Sequence, residues 1–215
     1  MVNILYGNVH MIRDRDIAPC LEALPLPMRK EITRYKFIHD RKACLLARLL
    51  LYQCLVAEAS LHLLYHWKRD ACHKPYIPGW RPFNISHSGD LVVLAGSNDP
   101  IGIDIEQIQP LDYLELAIHF QKQEQEYIRD APNTQQAFFE LWVKKEAALK
   151  AIGTGITNGL KRFSCIGHHV DHNDTRWHLR PVQLDPAFIG YICTTSSAAP
   201  VTIKRCLPDI IKNLY

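Results

Sequence analysis

The segment Ile101-Gly102-Ile103-Asp104-Ile105-Glu106 alternates an isoleucine with a small or acidic residue, and successive side chains of a strand point to opposite faces. The run therefore fits a β-strand whose isoleucines enter a core while Gly102, Asp104 and Glu106 share the other face. The apolar run LVVLAGS ends just before Asn98-Asp99-Pro100, a turn signal, so the two runs are expected to form an antiparallel hairpin. Gly102, beside both acids, is expected to leave room for a ligand. A strand with a solvated polar face would alternate in the same way, so the acids gain meaning only from residues elsewhere.

Those residues lie on a helix. From Thr134 to Ala151 apolar residues recur at about 100° per residue, which groups Phe138, Leu141, Trp142, Leu149 and Ile152 on one face. Lys145 falls inside that apolar sector, where an ammonium must find an anion or reach the surface; Lys144 is expected to point into solvent. Glu146 and Lys150 stand at the edge of the face, four residues apart and therefore side by side. A surface ion pair is the plain reading, contributing about 0.3–0.5 kcal/mol; a place on the border of a cleft is the alternative. Gly153 is a natural C′ residue for this helix.

Composition removes several classes of function. The 215 residues are 47% hydrophobic and 22% charged, ordinary for a folded protein. No apolar stretch approaches membrane-spanning or secretory-signal form, so a cytoplasmic protein without a membrane partner is expected. Seven scattered cysteines show no metal spacing and read as reduced. A net charge of +3 suits an anionic small molecule or an acidic protein, and is too small to indicate nucleic acid.

Other candidates flank these elements. Arg29, Lys30, Arg34, Lys36, Arg41 and Lys42 cluster ahead of RKACLLARLLLYQCLVAEA, a run that reads as a buried central helix. In NISHSGD, the hydroxyls of Ser86 and Ser88 can donate to phosphate oxygens, and His87 can carry charge near an anion. Adjacent Ser and His rarely attain nucleophile–base geometry, and no nucleophile-elbow pattern is present. His168, His169 and His172 lack an acid or cysteine to complete a zinc pattern. The C-terminal third alternates apolar and polar runs, as several antiparallel strands would.

Asp104, Glu106 and Glu146 would bring three hard oxygen ligands from two rigid elements to one place, with Lys150 beside them. That set suits Mg²⁺ holding a phosphorylated substrate, because Mg²⁺ prefers a few carboxylates plus phosphate oxygens and water. The chemistry suggested is phosphoryl transfer.

FNISHSGDLVVLA, IGIDIE and LWVKKEAALKAIGTGI occur in the order and spacing of the 4'-phosphopantetheinyl transferases, and the chain resembles their single-chain class over roughly residues 28 to 160. KPY at Lys74 to Tyr76 is similar to the family's Gly-Lys-Pro segment, with His73 in place of the glycine. The family's DRxR run reads Asp40-Arg41-Lys42-Ala43. The resemblance implies transfer of the phosphopantetheine arm of coenzyme A to a serine of an acyl or peptidyl carrier protein, with release of adenosine 3',5'-bisphosphate. It implies Asp104, Glu106 and Glu146 as Mg²⁺ ligands, and Lys150 on the pyrophosphate. Glu146 would be the base toward the carrier serine, directly or through a metal-bound water. Lys30, Arg69, Lys74, Pro75, Ser86, His87, Asp104, Lys145 and Lys150 are the expected coenzyme A contacts, with Arg29 and Arg34 as further phosphate candidates. Residues 153–157, following the helix, are expected to face the carrier, with Thr154 and Thr157 at the contact. The implied fold is α+β: two similar halves, residues 1–103 and 104–215, related by a pseudo-twofold axis, each with an antiparallel sheet and a long packed helix, in a monomer. Two rival readings use the same residues: a non-catalytic carrier-binding module, and another Mg²⁺-dependent phosphoryl-transfer enzyme.

Overall fold

A computed structural model describes residues 1–110, 112–155 and 159–206. Strand β1 (Val2–Asn8) leads through α1 (Ile17–Glu22) and α2 (Leu26–Thr33) to the long helix α3 (Ile38–Ala57). The short β2 (Lys68–Arg69) and β3 (Pro75–Tyr76) pair with each other, and β4 (Phe83–Ser88), β5 (Leu91–Ser97) and β6 (Ile101–Gln107) follow. Beyond them lie α4 (Tyr113–Ala117), α5 (Lys122–Asp130), the long helix α6 (Thr134–Ile152), and strands β7 (His169–His172), β8 (Thr175–Pro181), β9 (Phe188–Thr194) and β10 (Val201–Arg205). Helices packed on largely antiparallel sheets make this the expected α+β class.

Two four-stranded sheets organise the chain, in the orders β10-β1-β5-β4 and β6-β9-β8-β7. The expected hairpin between β5 and β6 does not form. β5 pairs with β4 on one side and β1 on the other, whereas β6 pairs with β9. The turn at residues 98–100 therefore carries the chain from one sheet to the other. β5 is buried along all seven residues, so it lies inside its own sheet and has no free edge to offer β6. Strand β6 runs straight through residue 103, and β10 returns from the C-terminal part of the chain to lie parallel to β1 in the first sheet.

The alternation in β5 and β6 now has a physical reason. Leu91, Val93 and Ala95 face Ile101, Ile103 and Ile105 in a core between the two sheets. Val92 and Leu94 face the other way, against the apolar surface of α3. Burying both faces of β5 accounts for its continuous apolar run. The Gly102–Asp104 face of β6 is turned toward α6: a Cβ built on Gly102 would lie 2.0 Å from the Ala147 carbonyl oxygen and 2.5 Å from the Ala151 nitrogen. Gly102 thus makes room for the backbone of α6, not for a ligand.

Helix α6 begins where the Asn133 side chain accepts from the Gln136 N–H at 3.0 Å. It ends at Gly153, whose φ of +80° supplies the left-handed cap. Among the described residues no helix is long and apolar enough to cross a membrane.

Candidate active site

Close contact between β6 and α6 sets Asp104 of the strand against Glu146 and Lys150 of the helix. The Lys150 ammonium donates to Asp104 Oδ1 at 2.6 Å and to Ser86 Oγ at 3.2 Å. Ser86 on β4 in turn donates to Asp104 Oδ1 at 2.7 Å. Two residues further along β4, Ser88 donates to Glu106 Oε2 at 2.6 Å and accepts from the Gln107 N–H. Both hydroxyls, expected on phosphate oxygens, are engaged by carboxylates and fix their orientation. Asn84 joins β4 to β6 across the sheet boundary, its Oδ1 accepting the Ile103 N–H at 2.9 Å.

Glu146 is only 5% exposed and Asp104 3%. Each keeps one oxygen, Oε1 and Oδ2 respectively, buried with no hydrogen-bond partner. Burial, with Asp104 and Glu106 adding repulsion, pushes the Glu146 carboxyl up to about 7 against the pull of Lys150. Burial also raises Glu106, partly offset by Ser88. Lys150 thus pairs with Asp104 across the strand–helix contact. An uncompensated buried carboxylate oxygen costs stability, and a cation is what would satisfy it. Among the described residues no group of three His, Cys, Asp or Glu side chains is arranged to hold a metal ion. Asp104, Glu106 and Glu146 therefore form no closed cage. The donor set still fits Mg²⁺, which takes one or two carboxylates and completes its shell with water and phosphate.

These groups stand beside a cleft of about 360 Å³, with Glu146 and Lys150 in one wall. Trp67, Arg48 and Arg69 line it as well. Arg48 was invisible to motif reading. Its sequence signal is a lone charge inside the apolar run LLARLLL. It is 7% exposed, bonds Glu31 Oε2 through Nη2 at 2.8 Å, stacks 5.1 Å from the Trp67 ring, and leaves Nε unpartnered. Arg69 grips the same Glu31 through Nε and Nη2 and the His73 carbonyl through Nη1. Burial alone would raise the Glu31 carboxyl, yet the two arginines hold it below the ordinary range. A neighbouring cavity of about 440 Å³ shares Tyr35, Arg48, Arg69 and His73 and adds Arg34.

The other expected contacts divide. Pro75 and His87 line the cleft. Desolvation in the cleft wall, with the nearby Lys150 charge, lowers the His87 pKa and favours the neutral ring. Lys74 also lines it, but its ammonium donates to the carbonyls of Lys150 at 2.5 Å and Ile101 at 3.1 Å, which ties the β2–β3 loop to the end of α6. Lys30 is exposed and lines neither cavity, and Arg29 caps the carbonyls of Leu24 and Glu22. Lys145 does not reach the cleft. It is fully buried against Glu124 at 2.8 Å and the carbonyls of Leu160 and Phe163. Lys144 does not point into solvent: it is 2% exposed, bonded to Glu140 at 2.6 Å and set over the Tyr191 ring of β9. Helix α6 is covered on that side too, which a one-face pattern does not anticipate. Thr154 is described, with a buried hydroxyl lacking a partner; Thr157 lies outside the described residues.

Comparison with known proteins shows the family of the chain. The model of the 4'-phosphopantetheinyl transferase superfamily matches residues 100–196, and that of the 4'-phosphopantetheinyl transferase N-terminal region matches residues 12–99. The chain is 32% identical to the 4'-phosphopantetheinyl transferase gsp of Aneurinibacillus migulanus, over 100% of this chain and 95% of that protein. The chain belongs to this family. It is also 31% identical to the 4'-phosphopantetheinyl transferase psf-1 of Bacillus pumilus, over 83% and 82% of the two chains. A more distant relative, 28% identical over 67% of this chain and 64% of its own length, is the L-aminoadipate-semialdehyde dehydrogenase-phosphopantetheinyl transferase of Schizosaccharomyces pombe. The phosphopantetheinyl transferase described here is therefore an enzyme of that class. The two family models meet between residues 99 and 100, at the turn where the chain passes from the first sheet to the second.

Proposed function

We propose that this transferase moves the 4'-phosphopantetheine arm of coenzyme A onto a serine of an acyl or peptidyl carrier protein, releasing adenosine 3',5'-bisphosphate. The observation that carries the reading is the pair of buried carboxylates, Asp104 and Glu146, each with an unpartnered oxygen, beside Lys150 at the wall of a cleft otherwise rich in cationic groups. A dianionic pyrophosphate in that cleft would meet the positive charge of Lys150, Arg48 and Arg69, which all line it. Asp104, Glu106 and Glu146 would hold Mg²⁺, which when bound neutralises charge on the attacked and leaving phosphates.

The chain's own residues supply the rest. Glu146, whose carboxyl burial raises to about 7 in the metal-free protein, is the group placed to take the proton of the carrier serine, and a bound cation would favour its carboxylate form. Relieved of that proton, the serine oxygen attacks the phosphorus that bears the pantetheine arm. The bond from that phosphorus to the bridging oxygen then breaks, and the Lys150 ammonium stabilises charge on the departing phosphate. Ser86 orients Asp104 and Ser88 orients Glu106, as their 2.7 and 2.6 Å hydrogen bonds indicate. The protein is read as a cytoplasmic monomer made of two similar halves divided near Ile103, with β10 closing the first sheet. The carrier is read as docking beside residues 153–157.

Incubation with coenzyme A, Mg²⁺ and an apo carrier domain should add one phosphopantetheine to the carrier's mass and release the bisphosphate. Tight carrier binding without any mass change would favour a non-catalytic module, and phosphate release without transfer another phosphoryl-transfer enzyme.

A further inference from the structure

Seven cysteines occur in the chain, and Cys72 is the exposed one among them. Burial pushes the thiols of Cys20, Cys54 and Cys206 up to about 11 and that of Cys165 up to about 12, and it raises Cys193 as well, so these are poor nucleophiles. Cys72 differs in place as well as exposure. It sits in the β2–β3 loop, where Asp70 Oδ1 accepts the backbone N–H groups of both Cys72 and Lys74 at 2.9 Å and so fixes the loop that carries the thiol. Its Sγ donates to the Gly153 carbonyl at 3.2 Å, and a Cβ built on Gly155 would lie 3.7 Å from that sulfur.

The thiol lines a cavity built to receive a charged molecule. In the same cavity Glu146 and Arg48, both more than nine-tenths buried, keep Oε1 and Nε without partners. Four cationic side chains, Arg48, Arg69, Lys74 and Lys150, line it with Glu146, and their charge is only partly offset by Glu31 behind the two arginines and Asp104 behind Lys150. An anionic molecule is drawn to the place where the exposed sulfur stands.

We propose that Cys72 is a site of reversible thiol–disulfide exchange with anionic low-molecular-weight disulfides, and that the mixed disulfide closes the cleft to its nucleotide. In the exchange the Cys72 sulfur, as thiolate, attacks one sulfur of R–S–S–R. The Cys72–S–S–R bond forms, the S–S bond of the small disulfide breaks, and R–S⁻ leaves and takes up the proton that Cys72 released. Cys72 is oxidised and the small disulfide is reduced, so no further oxidant enters. The attached group occupies the cavity and replaces the contact of Sγ with Gly153, the cap of the helix that carries Glu146 and Lys150. The closure, though not the exchange, rests on the reading of the cleft as the coenzyme A site.

The test uses the full chain and glutathione disulfide. Intact mass and peptide mapping should find a single adduct on Cys72, formed more slowly in the presence of coenzyme A and removed by a dithiol reductant. Transferase turnover should fall in step with the adduct and return with its removal, whereas the turnover of Cys72→Ser, whatever its own level, should not respond to the disulfide. An adduct first on another cysteine, no adduct, or a fully modified Cys72 with undiminished turnover and coenzyme A binding would overturn the proposal. Absence of transfer in the untreated chain would count against the proposed function alone, since adduct mapping and coenzyme A protection still decide the fate of Cys72.

Discussion

Lys145 and Glu146 are neighbours on α6 and both are buried, yet their surroundings differ. The Lys145 ammonium meets three acceptors, one for each of its N–H groups: Glu124 Oε2, and the carbonyls of Leu160 and Phe163. Glu124 is equally saturated, its Oε1 accepting the Cys165 N–H at 2.8 Å and its Oε2 the Gln121 N–H at 3.0 Å. Glu146 has no such company: Oε1 is orphaned and burial holds its pKa near 7. A buried charge with every partner inside the protein has a structural role, because removing any member leaves the others stranded. A buried charge left short of partners is kept for something that arrives from outside. Exposure alone would not separate the two residues, since both are below a tenth exposed.

The largest effect should fall on turnover. Glu146→Gln and Asp104→Ala should lower kcat/KM by about 10²–10⁴-fold, the range for losing a proton-transferring group or its electrostatic partner. Circular dichroism should show both variants folded. Near-normal turnover in either would remove the carboxylates from the chemistry and with them the contrast drawn with Lys145.

The opposite outcome is expected one residue earlier. Lys145→Met should leave the Glu124 carboxylate buried and unpaired, at a cost of about 3–5 kcal/mol in urea unfolding. Adding Glu124→Gln should recover a good part of that loss, because the stranded charge disappears. If the double variant is no better than the single one, packing of the lysine stem, and not its charge, accounts for the cost.

How much of this contrast was legible beforehand follows from which interactions are local. The strand carrying Asp104 and Glu106 and the helix carrying Glu146 and Lys150 announce themselves by periods of two and 3.6 residues, and the wheel correctly turned Lys145 inward. The pairing of strands was not legible. β5 and β6 are consecutive and both apolar, and only the positions of β1 and β9, far away in sequence, send them to separate sheets. The same limit explains Gly102, whose neighbour is a helix backbone some forty-five residues on, and Lys144, whose partners include Tyr191. Arg48 carries no motif, and its meaning depends on Glu31 and Trp67 meeting it in space. Motif residues told which chemistry was present; they did not tell which hydroxyls and lysines were already engaged by the protein itself.

Stability against pH should sharpen the comparison at Glu146. Its folded pKa of about 7 lies above the ordinary 4.5, so the native state binds this proton more tightly than the unfolded chain does. Below about 4.5 the group is protonated in both states and costs nothing. As pH rises from about 4.5 to about 7, the fold loses stability relative to that reference, by an amount on the order of 3 kcal/mol, and the loss is constant at higher pH. Glu146→Gln removes the titration. Without added divalent cation, the variant should therefore match the native chain near pH 4 and exceed it in melting temperature above pH 7. A variant less stable than the native chain at pH 8 would mean that the Glu146 carboxylate is satisfied by the protein after all.

The smallest effect is expected at Glu106, which stands between the two extremes. Burial raises its carboxyl, as it does that of Glu146, but Ser88 meets Oε2 at 2.6 Å, so the group is partly satisfied from within. It is the outermost of the three acids on β6 and α6 and less buried than Asp104 or Glu146. In Glu106→Gln the amide oxygen can still accept the Ser88 hydroxyl, and water can stand in for the lost charge at a metal that normally keeps several waters. Turnover should fall only a few-fold, on the order of 1 kcal/mol or less, with a rise in the Mg²⁺ concentration needed for half-maximal rate. Melting temperature should move little. A loss as deep as that of Asp104→Ala, unrelieved by raising Mg²⁺, would place Glu106 with Glu146 among the groups that have no substitute, and the gradient from satisfied to unsatisfied charge along this strand–helix contact would no longer predict the gradient in function.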